Sequence, residues 1–396
     1  MSLQNPVFIP GPTNMPEALR RACDLPTIDH RSATFPNLLN AARSGVRDVL
    51  KSQVADVFIF PSTGTGGWET AIANTLRPGD TVLAARNGMF SHKWIKMCQD
   101  FGLRPIFKDV TWGEGFPTDW AEDQLAKDTG HRIKAVLITH NETATGVTSN
   151  VAALRKALSD TNHPALLFVD GVSSIGSMDF RFDDWGVDVA VTGSQKGFML
   201  PAGLGIAAFS PKAMRATEQG GLPRGYFNIQ DMAASYKTGG YPYTPSVGML
   251  NGLKESCDML MGEGLEAVFA RHRRIADGVR AAVRAWGLDI CAAHPDLYSD
   301  TVTAIKTPAG FDAGQIVAHA EHAYGVSFGA GLGDVAGKVF RIGHLGSLTD
   351  VMTLSGIATA EMAMVDLGLD ITPGSGVAAA QNVYRKGKSS TLSEAA

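Results

Sequence analysis

The sequence predicts an α/β fold in which a large domain built on a mostly parallel sheet is followed by a smaller α+β domain. Three observations carry this. Apolar, β-branched runs alternate with amphipathic stretches from about residue 55 to 210, the pattern of parallel strands joined by crossover helices. Turn signals such as Arg77-Pro78-Gly79-Asp80 punctuate the alternation. From Val247 to Trp286 the pattern becomes long and helical, and beyond it strands and helices alternate again, enough for a second domain of roughly a hundred residues.

Strands are expected at Val57–Phe60, Thr81–Ala85, Arg104–Phe107, Ala135–Thr139, Ala165–Val169, Val187–Thr192 and Leu204–Phe209. Helices fall between them, at Gly67–Leu76, Ser91–Phe101 and Asn150–Leu158. The long helical stretch should break near Gly262 and Gly264. In the smaller domain Thr301–Lys306 and Val339–Ile342 read as strands, and Ala313–Tyr324 and Val351–Leu367 as helices. The organisation is then an N-terminal arm (1–14), a large domain (15–270), a small C-terminal domain (271–370) and a flexible tail (371–396), whose composition turns small and polar.

Composition narrows the function classes. The chain has 396 residues and 44 glycines, about 11% against a usual 7%, while its hydrophobic content of 44% allows a large packed core. Excess glycine in such a chain means tight loops. Lys and Arg number 35 and Asp and Glu 39, a net charge of −4 that offers no footprint for nucleic acid or an acidic membrane. No apolar run is long enough to span a bilayer, the N-terminus has no leader pattern, and the four cysteines show no paired spacing. A cytoplasmic protein with free thiols is expected. His319 and His322 lack a third metal ligand and read as a solvated helix face.

Four constellations carry chemistry. Ser62-Thr63-Gly64-Thr65-Gly66-Gly67 follows a strand and opens a helix, so backbone N–H groups and two hydroxyls form an anion cradle. It matches neither the dinucleotide fingerprint nor the P-loop, and a plain strand-to-helix turn would look similar. Lys196, in Gly193-Ser194-Gln195-Lys196-Gly197, stands at the mouth of an apolar strand; desolvation there frees an amine to condense with an aldehyde, unless the loop is simply exposed. Asp170 ends the apolar run Leu166–Val169, where it could cap a helix or face the protonated nitrogen of a pyridine ring. Arg341 ends Phe340-Arg341, within a stretch holding seven glycines from Gly325 to Gly346; its planar fork suits a carboxylate. Together these read as a pyridoxal phosphate site.

The wording of the motifs is also familiar: GPTN at 11–14, STGTGGWETAI at 62–72, HNETATGV at 140–147, VDGVSSIG at 169–176, TGSQKG at 192–197 and GKVFRIGHLG at 337–346. They resemble the class V aminotransferases, and within that class the glyoxylate aminotransferase group, over about residues 10–369. The resemblance implies the fold type I architecture of the aspartate aminotransferase-like enzymes, and pyridoxal 5'-phosphate as cofactor. It implies Lys196 as the covalent and acid/base residue, with Gln195 beside the cofactor. Thr63, Gly64 and Thr65 match the phosphate loop, Asp170 the ring-nitrogen acid, Thr143 the hydroxyl near O3′, and Phe90 the ring stacked on the pyridine. Arg341 matches the carboxylate-binding arginine, and Thr244 is the candidate for a phosphate contact from a second subunit, so a homodimer is implied.

The substrates implied are a small amino acid as donor and glyoxylate as acceptor, exchanged in ping-pong fashion through pyridoxamine phosphate. Serine-using relatives commonly carry Tyr-Arg where this chain has His30-Arg31. A cationic His30 beside Arg31 would suit a second carboxylate, hence aspartate, unless His30 merely packs; the chain as a whole also resembles the bacterial aspartate–glyoxylate enzymes. Serine or alanine is the alternative donor. Two rivals remain at this level. Cysteine desulfuration would need Cys291 as nucleophile, in an apolar strand-like context, and a non-catalytic phosphate-binding module would need no reactive lysine.

Overall fold

The computed structural model describes residues 5–393, with side chains to residue 386. Seven strands form the large sheet: β1 (Asp56–Pro61), β2 (Thr81–Arg86), β3 (Arg104–Asp109), β4 (Ile133–Thr139), β7 (Leu166–Asp170), β8 (Val189–Gly193) and β9 (Leu204–Phe209). A short hairpin, β5 (Asn141–Glu142) and β6 (Val147–Thr148), interrupts the series. The sheet order is β1-β9-β8-β7-β4-β2-β3. Strand β9 alone runs against its neighbours; the pairs β7–β8, β4–β7, β2–β4 and β2–β3 are parallel. All six co-directional strands therefore end at one edge, where ligands of such sheets bind.

The central strands are apolar on both faces because helices cover both; β7, β8 and β9 are buried at every residue. All seven expected strands are present within two residues of their expected ends. Helices depart more. The helix after β1 runs Gly64–Thr75, beginning three residues before its expected start, so the glycine cradle is its first turn. Helices Glu17–Cys23, Phe35–Val49, Thr118–Lys127 and Ile229–Lys237 have no counterpart in the sequence reading. The long helical stretch does divide, into Val247–Glu263 and Leu265–Ala285, at Gly264 with φ +85°, a left-handed value that favours glycine.

A second, three-stranded antiparallel sheet has the order β10 (Val302–Lys306), β12 (Val339–Gly343), β11 (Gly329–Ala330). Its hydrophobic core contains Ile275, Val279, Ile316, Phe340 and Ile357. Phe8, from the N-terminal arm, belongs to this core.

The flexible tail expected over 371–396 is corrected over its described part. Residues Ser375–Ser393 are helical, and Ala380 and Tyr384, one turn apart on one face, are buried in the second core. The Tyr384 hydroxyl donates to the Ile275 carbonyl at 3.1 Å, and its ring lies where any Cβ on Gly278 would approach within 2.2 Å. Buried Glu361 holds the start of this helix: it accepts from the Gly376 amide and from the Trp286 indole, both at 2.8 Å. Small and polar composition misled because two anchoring side chains are enough to dock an alanine-rich helix. Replacing Tyr384 by Ala removes a buried ring and its hydrogen bond. It should cost about 3 kcal/mol, read as a lowered midpoint in urea denaturation; a tail that did not dock would give no change.

Candidate active site

The residues singled out from sequence follow the carboxyl ends of the co-directional strands. The cradle follows β1, Phe90 follows β2, Thr143 follows β4, Asp170 closes β7, and Lys196 lies in the turn after β8. Arg341 comes from β12 of the other sheet, where it pairs with Ala304 and Gly329.

At the cradle, Thr63 is extended and makes no side-chain cap. The helix's first amides therefore lack partners from within the helix, and Thr63 and Thr65 stand exposed beside them. The first internal bond is from the Gly67 amide to the Thr63 carbonyl, at 3.2 Å. Strand ends press in closely: a Cβ on Gly64 would meet Val172, two residues after Asp170, at 2.6 Å, and a Cβ on Gly193 would lie 2.8 Å from Gln195 Oε1. Gln195 Oε1 is itself buried with no protein partner.

Lys196 is buried, and its Nζ donates to the Pro10 carbonyl. Desolvation pulls the amine down to about 8, helped by the Arg341 charge and opposed by Asp170. Asp170 is equally buried; its Oδ1 accepts from the Val172 amide at 3.0 Å. Burial lifts its carboxyl to about 7, against the pull of that amide. The Lys196 charge also pulls against that rise without overcoming it, so the carboxyl has room for a closer cation, which a protonated pyridine nitrogen would supply. Arg341 donates through Nε to the Ala330 carbonyl at 2.9 Å and through Nη1 to the Thr143 carbonyl at 3.0 Å. Burial lowers it to about 10, so it stays charged at neutral pH, with Glu142 as the opposing negative charge.

Two residues that the sequence reading passed over organise this edge. Glu142 is fully buried and caps the helix Met89–Asp100: Oε2 accepts from the Phe90 and Ser91 amides at 3.0 Å each, and Oε1 from the Ala144 amide at 3.1 Å. It thereby fixes Phe90, whose half-buried ring meets Trp68 edge-on at 6.5 Å. Ser173 accepts from the Thr143 hydroxyl at 2.9 Å and donates to the Asn141 carbonyl at 2.8 Å, tying the loop after β4 to the loop after β7. A carboxylate inside HNETATGV and a serine inside VDGVSSIG were the available signals.

Other candidates lie apart. His30 is half-buried with its ring edge-on to Phe35 at 6.4 Å, and Arg31 is exposed. Thr244 is exposed in the segment after the helix Ile229–Lys237. Among the described residues no hydrogen bond, ion pair or ring contact joins these three to Lys196. Cys291 is buried and burial pushes its thiol up, which leaves it a poor nucleophile. No metal-ligating cluster occurs among the described residues.

The residues present fit a phosphorylated pyridine aldehyde: uncapped amides and hydroxyls for the phosphate, a buried carboxyl for the ring nitrogen, an orphaned amide oxygen beside the ring and a desolvated amine for the aldehyde. Comparisons agree. Residues 22–326 match the family model described as Aminotransferase class-V. The chain is 66% identical, over all 396 residues and the whole of the relative, to an L-aspartate–glyoxylate aminotransferase of Paracoccus denitrificans. It is 51% identical to a serine–glyoxylate aminotransferase of Hyphomicrobium methylovorum over 388 residues, 98% of this chain and 96% of that one. The solved structure of pyridoxamine–pyruvate aminotransferase from Mesorhizobium loti superposes with a TM-score of 0.91 at 28% identity, covering 98% of this chain and 99% of that one. With its lysine, acid and phosphate cradle set at one edge of a fold type I sheet, the chain belongs to the class V aminotransferases, whose cofactor is pyridoxal 5'-phosphate.

Proposed function

We propose that this aminotransferase moves the amino group of a small amino acid, L-aspartate first, to glyoxylate, giving oxaloacetate and glycine in two half-reactions. The observation that carries this reading is the full-length 66% identity to an aspartate–glyoxylate enzyme. The serine reading stands second, on the 51% identity to a serine–glyoxylate enzyme. Offering aspartate, serine and alanine singly, and following the loss of the cofactor's visible absorbance, tests the choice. Aspartate should react at least tenfold faster than serine; the reverse order transfers the assignment to serine.

When bound, the cofactor supplies an aldehyde that takes up the amino group and a cationic ring that draws electrons from the substrate Cα. The protein's residues do the rest. Lys196 would hold the cofactor through its aldehyde, and its Nζ, once free, would carry the proton that leaves the substrate Cα. An amine held near 8 has a neutral fraction at physiological pH that an ordinary lysine lacks. Asp170 would hold the proton on the ring nitrogen. The cradle amides, with Thr63 and Thr65, would hold the phosphate, and Gln195, Thr143 and Phe90 would hold the ring. Arg341, already oriented by two carbonyls, takes the carboxylate common to every donor and to glyoxylate through its remaining N–H groups.

We further propose a homodimer, in which the exposed Thr244 and the loop bearing His30 and Arg31 serve the active site of the other subunit. The two residues provide a cationic contact for the distal carboxylate of aspartate. A cytoplasmic location is in keeping with four free cysteines and with no helix among the described residues being long and apolar enough to cross a membrane.

Three outcomes are expected. Lys196→Ala should lower kcat by about 10³-fold or more, while phosphate-loop binding keeps the cofactor measurable by equilibrium dialysis; a rate within tenfold of the parent overturns the lysine's role. Arg341→Lys should raise KM for glyoxylate and for each donor by about tenfold or more, since a hydrogen bond between charged groups is worth about 2 kcal/mol. An unchanged KM in steady-state assays would assign the shared carboxylate elsewhere. His30→Tyr should move the aspartate-to-serine ratio of kcat/KM toward serine, and competition assays that find no movement remove His30 from donor choice.

A further inference from the structure

The arm from Phe8 to Asn14 has no part in the roles assigned above, yet it lies against the reactive lysine. Both its ends are held by the small domain. Phe8 is fully buried, its ring stacked on Phe328 at 5.9 Å; its amide donates to the Ser327 carbonyl at 2.9 Å and its carbonyl accepts from the Gly343 amide at 2.6 Å. At the other end the Asn14 side chain ties back to Val7 through two bonds of 2.9 and 2.8 Å, and the Asn14 carbonyl accepts from the Ser347 hydroxyl at 3.3 Å. Between these anchors the chain passes over Lys196. The Pro10 carbonyl accepts from Lys196 Nζ, and the Thr13 hydroxyl donates to the Lys196 carbonyl at 3.4 Å.

Position 11 is where the fit is closest. Gly11 has φ +101°, and a Cβ built there would fall 2.6, 2.7 and 2.8 Å from Lys196 Cδ, Nζ and Cε. A side chain at 11 and the lysine in its present seat exclude one another. The seat is also tied to substrate binding by construction: Gly343, which anchors Phe8, is two residues beyond Arg341 on the same strand, and Gly329 beside Arg341 would meet Pro10 at 2.8 Å if it bore a Cβ.

We propose that the strap Phe8–Asn14 is a positioning element, in which the Pro10 carbonyl seats the Lys196 amine whenever that amine is free of the cofactor and Gly11 keeps the seat open. A lysine released from its covalent bond has four rotatable bonds and no intrinsic reason to remain beside the atoms whose proton it must carry. One fixed acceptor keeps it there. The strap also closes the amine off from water, leaving it to face Asp170 from the end of β7 and Arg341 from β12, with Glu142 beside Arg341. Seat and carboxylate clamp then form one unit, so a substrate held by Arg341 meets an amine already in place.

This inference rests on the aminotransferase chemistry of Lys196 and is independent of which donor or acceptor is used. The test therefore includes a readout that needs no turnover. Enzyme loaded with pyridoxamine 5'-phosphate, in which Lys196 is free, is labelled competitively with acetic anhydride across pH, and the peptide carrying Lys196 is quantified by mass spectrometry. Gly11→Ala, which fills the seat, and Phe8→Ala, which releases the strap without adding an atom beside the lysine, should each raise the apparent pKa of Lys196 by a unit or more as water reaches it. That is tenfold less neutral amine at pH 7.5. Steady-state kcat should fall about tenfold while KM for glyoxylate stays within twofold, and Phe8→Leu should restore both. If Gly11→Ala does not fold, Phe8→Ala decides alone. Folded variants that label as the parent does overturn the proposal, whether or not glyoxylate proves to be the acceptor.

Discussion

The burial of one amine sets the terms for the rest of this molecule. Bringing Lys196 down from 10.5 to about 8 corresponds to about 3 kcal/mol of preference against its ammonium form. An ordinary domain has no reason to sustain that. Below about pH 8 the folded chain resists a proton that the unfolded chain accepts freely, so burial opposes folding there, and the opposition fades as pH rises toward 10.5. What surrounds the lysine limits the cost while keeping the amine reactive. Two buried cations, Lys196 and Arg341, share the site with two buried carboxyl groups, Glu142 and Asp170. Glu142 is balanced by two backbone amides at a helix start and by the Ala144 amide beside it, and Arg341 by two carbonyls. Asp170 has one backbone amide and is lifted to about 7. Asp170 near 7 and Lys196 near 8 are the two groups proposed to meet the cofactor.

The fold makes this balance possible by bringing strand ends together from widely separated stretches of chain. Six co-directional strands deliver their following loops to one edge, and a single strand of the second sheet delivers Arg341 to the same place. Neither domain holds the site alone. Arg341 is oriented by a carbonyl of its own domain and by that of Thr143 across the cleft, while Asn141 reaches the Thr301 hydroxyl at 2.9 Å. The helix Ser375–Ser393 adds Ala380 and Tyr384 to the second core. It packs on the helices Leu265–Ala285 and Asp350–Asp366.

What could be read from sequence follows from the range of the interactions involved. The strands were legible because their apolar runs answer to burial on both faces, a local pattern. Lys196, Asp170 and the cradle were legible because each is marked by its own strand or turn. Glu142 and Ser173 were not, since their partners lie 30 to 52 residues away and only the sheet order makes them neighbours. The strap over Lys196 is more distant still, with a separation of 186 residues between Pro10 and the lysine. Ser375–Ser393 escaped for a different reason: its composition resembles a solvated tail, and only the spacing of Ala380 and Tyr384 betrays a buried face. The helix Gly64–Thr75 begins ahead of its apolar pattern because its first turn is glycine-rich, and glycine, a poor helix former, carries no periodic signal.

On the proposed roles, the part of the site that a single chain completes offers nothing to choose between donors. As the proposed clamp, Arg341 would take the carboxylate that aspartate, serine, alanine and glyoxylate all carry, and a contact common to every substrate contributes nothing to a difference between them. The remaining charges of the edge are already matched, two against two. A second substrate carboxylate entering this space would be an unpaired buried charge, costly unless a further cation meets it. Serine, whose hydroxyl needs only a hydrogen-bond partner, carries no such demand. Selection for aspartate therefore requires positive charge from outside the set Lys196, Arg341, Glu142 and Asp170. His30 and Arg31, which make no hydrogen bond or ion pair to their own chain's lysine, have chemistry suited to the neighbouring subunit's site in the proposed dimer. In such an arrangement assembly and specificity are one property: the dimer interface would decide which amino acid the completed site accepts.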